Sequence, residues 1–131
     1  MTRPLAVCVY CGSIEGLPER YLRLAASFLD RRGRPEGRAK LFGEYAQDHA
    51  PVREQREIVG HAVRATYLYC AMADVAAATG DRALWRALDE LWGDAVERKM
   101  YVTGGIGSSA SNEGITRAYD LPNDTAYCET W

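Results

Sequence analysis

From Pro51 to Lys99 apolar residues return every three or four positions. A helix satisfies that period and a strand cannot, because successive side chains on a strand point to opposite faces and only every second residue shares one. Ile58, Ala62, Ala65, Leu68, Tyr69, Met72, Ala73 and Ala76 carry the first run, which Thr79-Gly80 closes. The spacing predicts one helix from Pro51 to Thr79. Its apolar residues cover more than a single stripe, so burial on more than one side is expected. Asp81 then caps a further helix reaching Lys99, with Leu84, Leu88, Leu91, Trp92 and Ala95 in one stripe. A third amphipathic helix is predicted from Pro18 to Arg32. There Tyr21, Leu24, Ala25, Phe28 and Leu29 keep helical spacing, Pro18 suits the first turn, and Gly33 follows the end.

The two outer helices resemble each other loosely. Arg20-Tyr21-Leu22-Arg23-Leu24 lies over Ala83-Leu84-Trp85-Arg86-Ala87, an offset of 63 residues that two antiparallel helices and their loops would consume. Together with the broadly apolar middle helix, this predicts an all-α chain of αα-hairpin repeats, as in a solenoid or a closed helical toroid. The helix from Pro51 would face inward. Pro4 to Tyr10 alternate weakly and end at Cys11-Gly12-Ser13, a short strand-like opening. Gly33 to Ala50 has no stable period and reads as a long connection across the surface. Tyr101 to Asn112, with Gly104, Gly105 and Gly107, reads as a flexible or tightly turning loop, and Tyr119 to Asp124 as another turn. Glycine-rich loops on a rigid helical scaffold are where function concentrates.

Lys and Arg (16) are interleaved with Asp and Glu (18), which leaves no basic face for nucleic acid. The longest apolar stretch, Ala71 to Ala78, contains Asp74 and falls far short of the roughly 20 residues that span a bilayer. No signal-peptide pattern follows Met1, so a cytoplasmic protein with reduced thiols is expected. Cys8 and Cys11 form a C-x-x-C pair without a second pair or His at ligand spacing, and their role stays open.

Gly104-Gly105-Ile106-Gly107-Ser108-Ser109 lacks the Lys-Ser/Thr ending of a phosphate loop and follows a helix instead of a strand, which argues against a nucleotide site. Glu113 stands in this loop and Glu129 in the next small segment. Two carboxylates presented at the mouth of a helical toroid suit glycosyl transfer, where one moves a proton and another attacks, activates or ligates. On composition alone the commoner reading is two solvated surface charges. His61, beside Gly60, falls within the inner helix, where a histidine is usually a hydrogen-bonded core residue, although a glycine there can mark the close approach of another group. His49 reads as a loop residue.

Four stretches carry a resemblance. Tyr45-Ala46-Gln47-Asp48-His49-Ala50-Pro51-Val52-Arg53-Glu54-Gln55, Val59-Gly60-His61-Ala62-Val63-Arg64-Ala65, Tyr101-Val102-Thr103-Gly104-Gly105-Ile106-Gly107-Ser108 and Tyr119 to Thr130 are similar, in one order, to glycoside hydrolase family 127, the β-L-arabinofuranosidases. The resemblance implies an (α/α)6 toroid as catalytic domain, of which residues 17–131 would form part and 1–16 an extension. It implies retaining hydrolysis of β-L-arabinofuranosides, with a zinc-bound cysteine thiolate as nucleophile, a glutamate as acid/base, and zinc held by a glutamate and three cysteines. Glu113 resembles the acid/base, Glu129 the zinc-ligating glutamate and His61 a histidine that contacts the sugar.

The chain also departs from that pattern. Where a zinc-binding cysteine follows Glu-Thr in the family, Trp131 stands here, and Cys128 precedes Glu129 by one residue instead of following it by two. The expectation is therefore a truncated, inactive part of the domain that does not hold zinc tightly. Its inner-helix flanks, including Leu68 and Met72, would be uncovered and prone to self-association. Met1 to Ser13 resembles the opening of the lysine-decarboxylase-like nucleotide phosphoribohydrolases, without their later motifs. The alternative from another class is a non-catalytic helical-repeat binding module.

Overall fold

The computed structural model describes residues 18–36 and 40–125; the strand-like opening and the extension at 1–16, with Cys8 and Cys11, lie outside them, as do Cys128, Glu129 and Trp131. Three α-helices dominate: α1 (Glu19–Arg31), α2 (Ala62–Thr79) and α3 (Arg82–Asp94), the last running on into a wider π-turn at Ala95–Lys99. Short 3-10 turns occupy Gly43–Ala46 and Val52–Glu54. A two-stranded antiparallel ladder, β1 (Gly60–His61) with β2 (Gly114–Ile115), completes the order.

The first and third helices fall where their apolar stripes put them. α1 buries Ala25 and Leu29, with Leu22 and Ala26 packed beside them, while Tyr21 and Phe28 lie at the exposed edge of the stripe. α3 buries Leu84, Ala87 and Leu91 and leaves Trp92 exposed. Asp81 caps it: Oδ1 accepts from the amides of Ala83 and Leu84 at 2.9 and 3.1 Å, satisfying two donors that the first turn leaves open.

α2 corrects the expectation at its start. The helix begins at Ala62, and the stretch from Pro51 instead forms a 3-10 turn, an irregular passage and β1. Its end is as expected, with Gly80 in the left-handed conformation (φ 72°) and its N–H bonded to the Ala76 carbonyl. Ala62, Ala65, Leu68, Met72, Val75 and Ala76 are buried, Val63, Thr66, Tyr69, Ala71 and Ala73 are half-buried, and the exposed residues are the line Arg64, Tyr67, Cys70 and Asp74 and the last turn, 77–79. Packed against both α1 and α3, α2 is thus covered on more than one side. Leu68 and Met72, expected on open flanks, are instead 6% and 0% exposed, because α1 and α3 between them close that face.

The connection after α1 is likewise more than a surface crossing. Gly33 (φ 73°) packs so closely on the Ala50–Pro51 backbone that a Cβ would have no room. Ala46, Gln47 and Asp48 are buried, whereas His49 is an exposed loop residue as expected. The described residues are mostly helical and carry one small two-stranded sheet, β1–β2. No helix among the described residues is long and apolar enough to cross a membrane.

Candidate functional site

The ladder brings together two residues separated by more than fifty positions. Gly60 turns with φ 74°, and a Cβ there would run into the Glu44 carbonyl, so the chain passes close under the 3-10 turn. His61 follows in extended conformation (φ −66°, ψ 119°) as the residue preceding α2, not as a mid-helix residue. Opposite it, the loop from Tyr101 returns through Asn112 (φ 55°) and Glu113 (φ 52°), both left-handed. Such conformations cost non-glycine residues about 1–2 kcal/mol each and cluster at functional sites. The register pairs His61 with Gly114, and the Ala62 amide donates to the Glu113 carbonyl at 2.9 Å.

The side chains meet as a result. His61 Nε2 lies 3.2 Å from Glu113 Oε2; the imidazole is largely buried, while the carboxylate is half exposed. Nε2 faces an acceptor and is therefore the donating nitrogen, while Nδ1 is buried without a partner. Tyr45 sets its ring edge-on to His61, with centroids 5.7 Å apart and planes at 75°. The Arg64 guanidinium sits 5.0 Å from the Tyr45 centroid. Tyr45, His61, Arg64 and Glu113 therefore form one aromatic and polar surface from three parts of the chain. Together they offer an aromatic ring, a hydrogen-bonding imidazole and a half-exposed carboxyl group able to move a proton.

The glycine-rich loop behind this surface is tightly held. Ile106 is buried in the core, Ser108 Oγ pairs with Thr116 Oγ1, Thr125 Oγ1 donates to the Ser108 carbonyl at 2.7 Å, and the Tyr119 amide donates to Arg98 O at 2.7 Å. The base of β1 is pinned as well. Lys99, 3% exposed, places Nζ 2.5 Å from Glu57 Oε1, 2.9 Å from the Ile58 carbonyl and 3.4 Å from Asp94 Oδ2, which accepts the Ile58 amide. A charge buried this deeply holds its partners in place, since removing one strands the other.

Of the three residues singled out in the sequence, the fold unites His61 and Glu113, and Glu129 lies outside the described residues. Among those described, no group of three or more His, Cys, Asp or Glu residues is placed to hold a metal ion. Tyr45 and Gln47 were missed as individual residues. Their signals were the polar run Tyr45 to His49 inside an otherwise unpatterned connection and its place in the first of the four resembling stretches.

Comparison with known proteins places the chain in a family. The family model described as β-L-arabinofuranosidase, glycoside hydrolase family 127 catalytic domain, matches residues 18–130. A non-reducing end β-L-arabinofuranosidase of Bifidobacterium longum subsp. longum is 40% identical over 129 residues, covering 86% of this chain and 20% of that protein. The solved structure of a family 127 β-arabinofuranosidase superposes with a TM-score of 0.76 at 49% identity, covering 84% of this chain and 17% of the other. That of a family 127 β-L-arabinofuranosidase from Geobacillus stearothermophilus T6 gives 0.76 at 46% identity, over 84% and 20%. The chain spans about a fifth of the length of these relatives. By its motifs, by the backbone that presents them and by these matches, the chain belongs to glycoside hydrolase family 127, the β-L-arabinofuranosidase catalytic domains.

Proposed function

We infer that this chain supplies one wall of a β-L-arabinofuranosidase sugar site, with Glu113 as acid/base and His61 as a contact to the sugar. The observation that carries this reading is the 3.2 Å approach of His61 Nε2 to Glu113 Oε2 across the β1–β2 ladder. The names of the relatives supply the substrate class, a terminal β-L-arabinofuranoside. In its protonated form Glu113 delivers a proton to the glycosidic oxygen as the bond to the anomeric carbon breaks; as carboxylate it takes a proton from water. His61 donates through Nε2 to a sugar oxygen or to Glu113, and its fixed ring sets where that oxygen sits. Residues 17–131 form part of an (α/α)6 toroid, to which α1 to α3 belong with α2 as an inner helix, a placement supported by its burial between α1 and α3.

Zinc belongs to this proposal only through Glu129, the one family ligand that the resemblance places on this chain. The described residues offer no metal cluster, and no step is routed through one. A zinc site takes about four ligands, so the 131-residue chain is expected not to retain the metal tightly. General acid help from Glu113 alone contributes roughly 10²–10⁴-fold, short of the 10⁶ or more of a working glycosidase.

The test combines calorimetric titration with methyl β-L-arabinofuranoside, metal analysis, and assay of arabinose release from an aryl β-L-arabinofuranoside, on the wild-type chain, His61→Ala and Glu113→Gln. Weak saturable binding is expected, reduced about tenfold by His61→Ala, the loss of one hydrogen bond of roughly 1.4 kcal/mol, with substoichiometric zinc and no turnover. Absence of saturable binding would overturn the sugar wall. Stoichiometric zinc with turnover abolished by Glu113→Gln would show instead that the chain completes the site.

A further inference from the structure

Gln47 is fully buried, at 0% exposure, although nothing in the composition of its segment asks for a core amide. It ends the 3-10 turn Gly43–Ala46 in a left-handed conformation (φ 54°, ψ 34°), its own N–H returning to Glu44 O at 2.9 Å. Its side-chain nitrogen lies 3.0 Å from Val59 O, 3.1 Å from Tyr45 O, 3.3 Å from His61 O and 3.4 Å from Glu44 O. Two amide hydrogens are thus shared among four carbonyls. The surroundings also fix which way the amide points, since an oxygen in that place would face four lone pairs. Two of the carbonyls belong to the turn that carries Tyr45, and two, those of Val59 and His61, flank Gly60 at β1.

Gln47 is itself held. Gln55 Nε2 donates to the Gln47 carbonyl at 2.9 Å and to Ala50 O at 3.0 Å. Gly60, between the two bonded carbonyls of β1, is where a Cβ would strike Glu44 O and crowd Gln47 Nε2, so the turn and the strand have no room for another side chain between them. On its far edge β1 pairs with β2, beside Glu113. His61 is consequently gripped from two sides, by the Gln47 amide and by the strand that delivers Glu113.

We propose that Gln47 is a positioning residue for this site: its side-chain amide fixes the backbone of His61 against Tyr45 and so sets the His61–Glu113 approach. This rests on the reading of His61 and Glu113 as the sugar-contacting pair. Gln47 touches neither sugar nor reacting atoms. Its effect passes through the placement of the imidazole.

The experiment reads that placement without sugar or turnover. The chain is labelled with 15N-histidine, and the His61 ring nitrogens are followed by long-range 1H–15N NMR with and without Glu113→Gln, in four backgrounds: wild type, Gln47→Met, Gln47→Asn and Val52→Ala. Gln47→Met keeps the shape and removes the donors; Gln47→Asn, one methylene shorter, keeps an amide that cannot reach Val59 and His61 together. Val52, a buried core residue outside the site, controls for general destabilisation. In wild type and in Val52→Ala, Glu113→Gln is expected to move the His61 Nε2 resonance equally. In both Gln47 variants that response is expected to shrink by about threefold or more, the signature of lost coupling. If Gln47→Met does not fold, Gln47→Asn decides. A response preserved in the Gln47 variants, or lost equally in Val52→Ala, overturns the proposal. Because no sugar is present, this outcome stands apart from the calorimetric test of sugar binding.

Discussion

Arg53 shows how much a single side chain organises here. Its Nη1 lies 2.7 Å from Asp30 Oδ1 at the end of α1, and its Nε and Nη2 lie 2.9 and 2.8 Å from Asp81 Oδ2, the carboxylate that caps α3 with its other oxygen. Burial pushes the Asp81 carboxyl up, but hydrogen bonds from Arg53 and from the Leu84 and Ala83 amides outweigh it and hold the group below the usual carboxylate range. A carboxylate whose folded pKa lies below its unfolded value, about 3.9, stabilises the fold fully above that pH, and the contribution disappears as pH falls through the lower folded value. Asp81→Ala is therefore expected to cost about 2 kcal/mol near pH 7, in the upper range of lost caps. The deficit should shrink below about pH 4 in urea melts; a deficit unchanged down to pH 2 would contradict the assignment. The cap itself was readable, since Asp81 stands immediately before an apolar-periodic run. Its bond to Arg53 was not, because the two partners are brought together only by the packing of separate elements.

Among the elements, the helices were legible wherever a stripe and a stop signal coincided, and α2 was misjudged where they did not. Ile58 continues the helical period of Ala62 and Ala65, yet it is buried through its place between α3 and the loop, pinned by Asp94 and Lys99. Period alone cannot distinguish those two ways of burying a residue. Gly60 was the signal in the sequence, a glycine marking close approach, and the chain there passes under another backbone with positive φ. Gly60→Ala is expected to cost on the order of 3 kcal/mol from overpacking and left-handed strain together. It should also displace β1 enough to weaken the Ala62 N–Glu113 O bond, seen as faster hydrogen exchange at Ala62. Unchanged exchange at Ala62 with near-wild-type stability would show that β1 has space the structure does not give it. His61 and Glu113 were each identifiable from their motifs; their 3.2 Å approach was not, because a two-residue ladder leaves no periodic trace.

At the scale of the whole molecule, α2 and α3 leave an apolar groove of about 450 Å³ whose lining includes Tyr69, Cys70, Trp85, Leu88 and Trp92. Trp85 and Trp92 are 43% and 60% exposed, and Tyr67 nearby on α2 is 57% exposed. Uncovered aromatic surface of this kind draws partners. Self-association of the chain is therefore expected at this groove and not at the buried Leu68 and Met72. Sedimentation velocity should show a concentration-dependent rise in the sedimentation coefficient that Trp92→Glu suppresses, and a monomer at every concentration would exclude it. The groove and the His61–Glu113 wall are separate surfaces, which makes their roles separable in one spectrum. The central claim is tested most directly by titrating methyl β-L-arabinofuranoside into the 15N-labelled chain and mapping the amides that respond. Shifts are expected at Tyr45, His61, Arg64 and Glu113, and to vanish in His61→Ala; shifts confined to the groove at Trp85 and Trp92, or none at any sugar concentration, would contradict it.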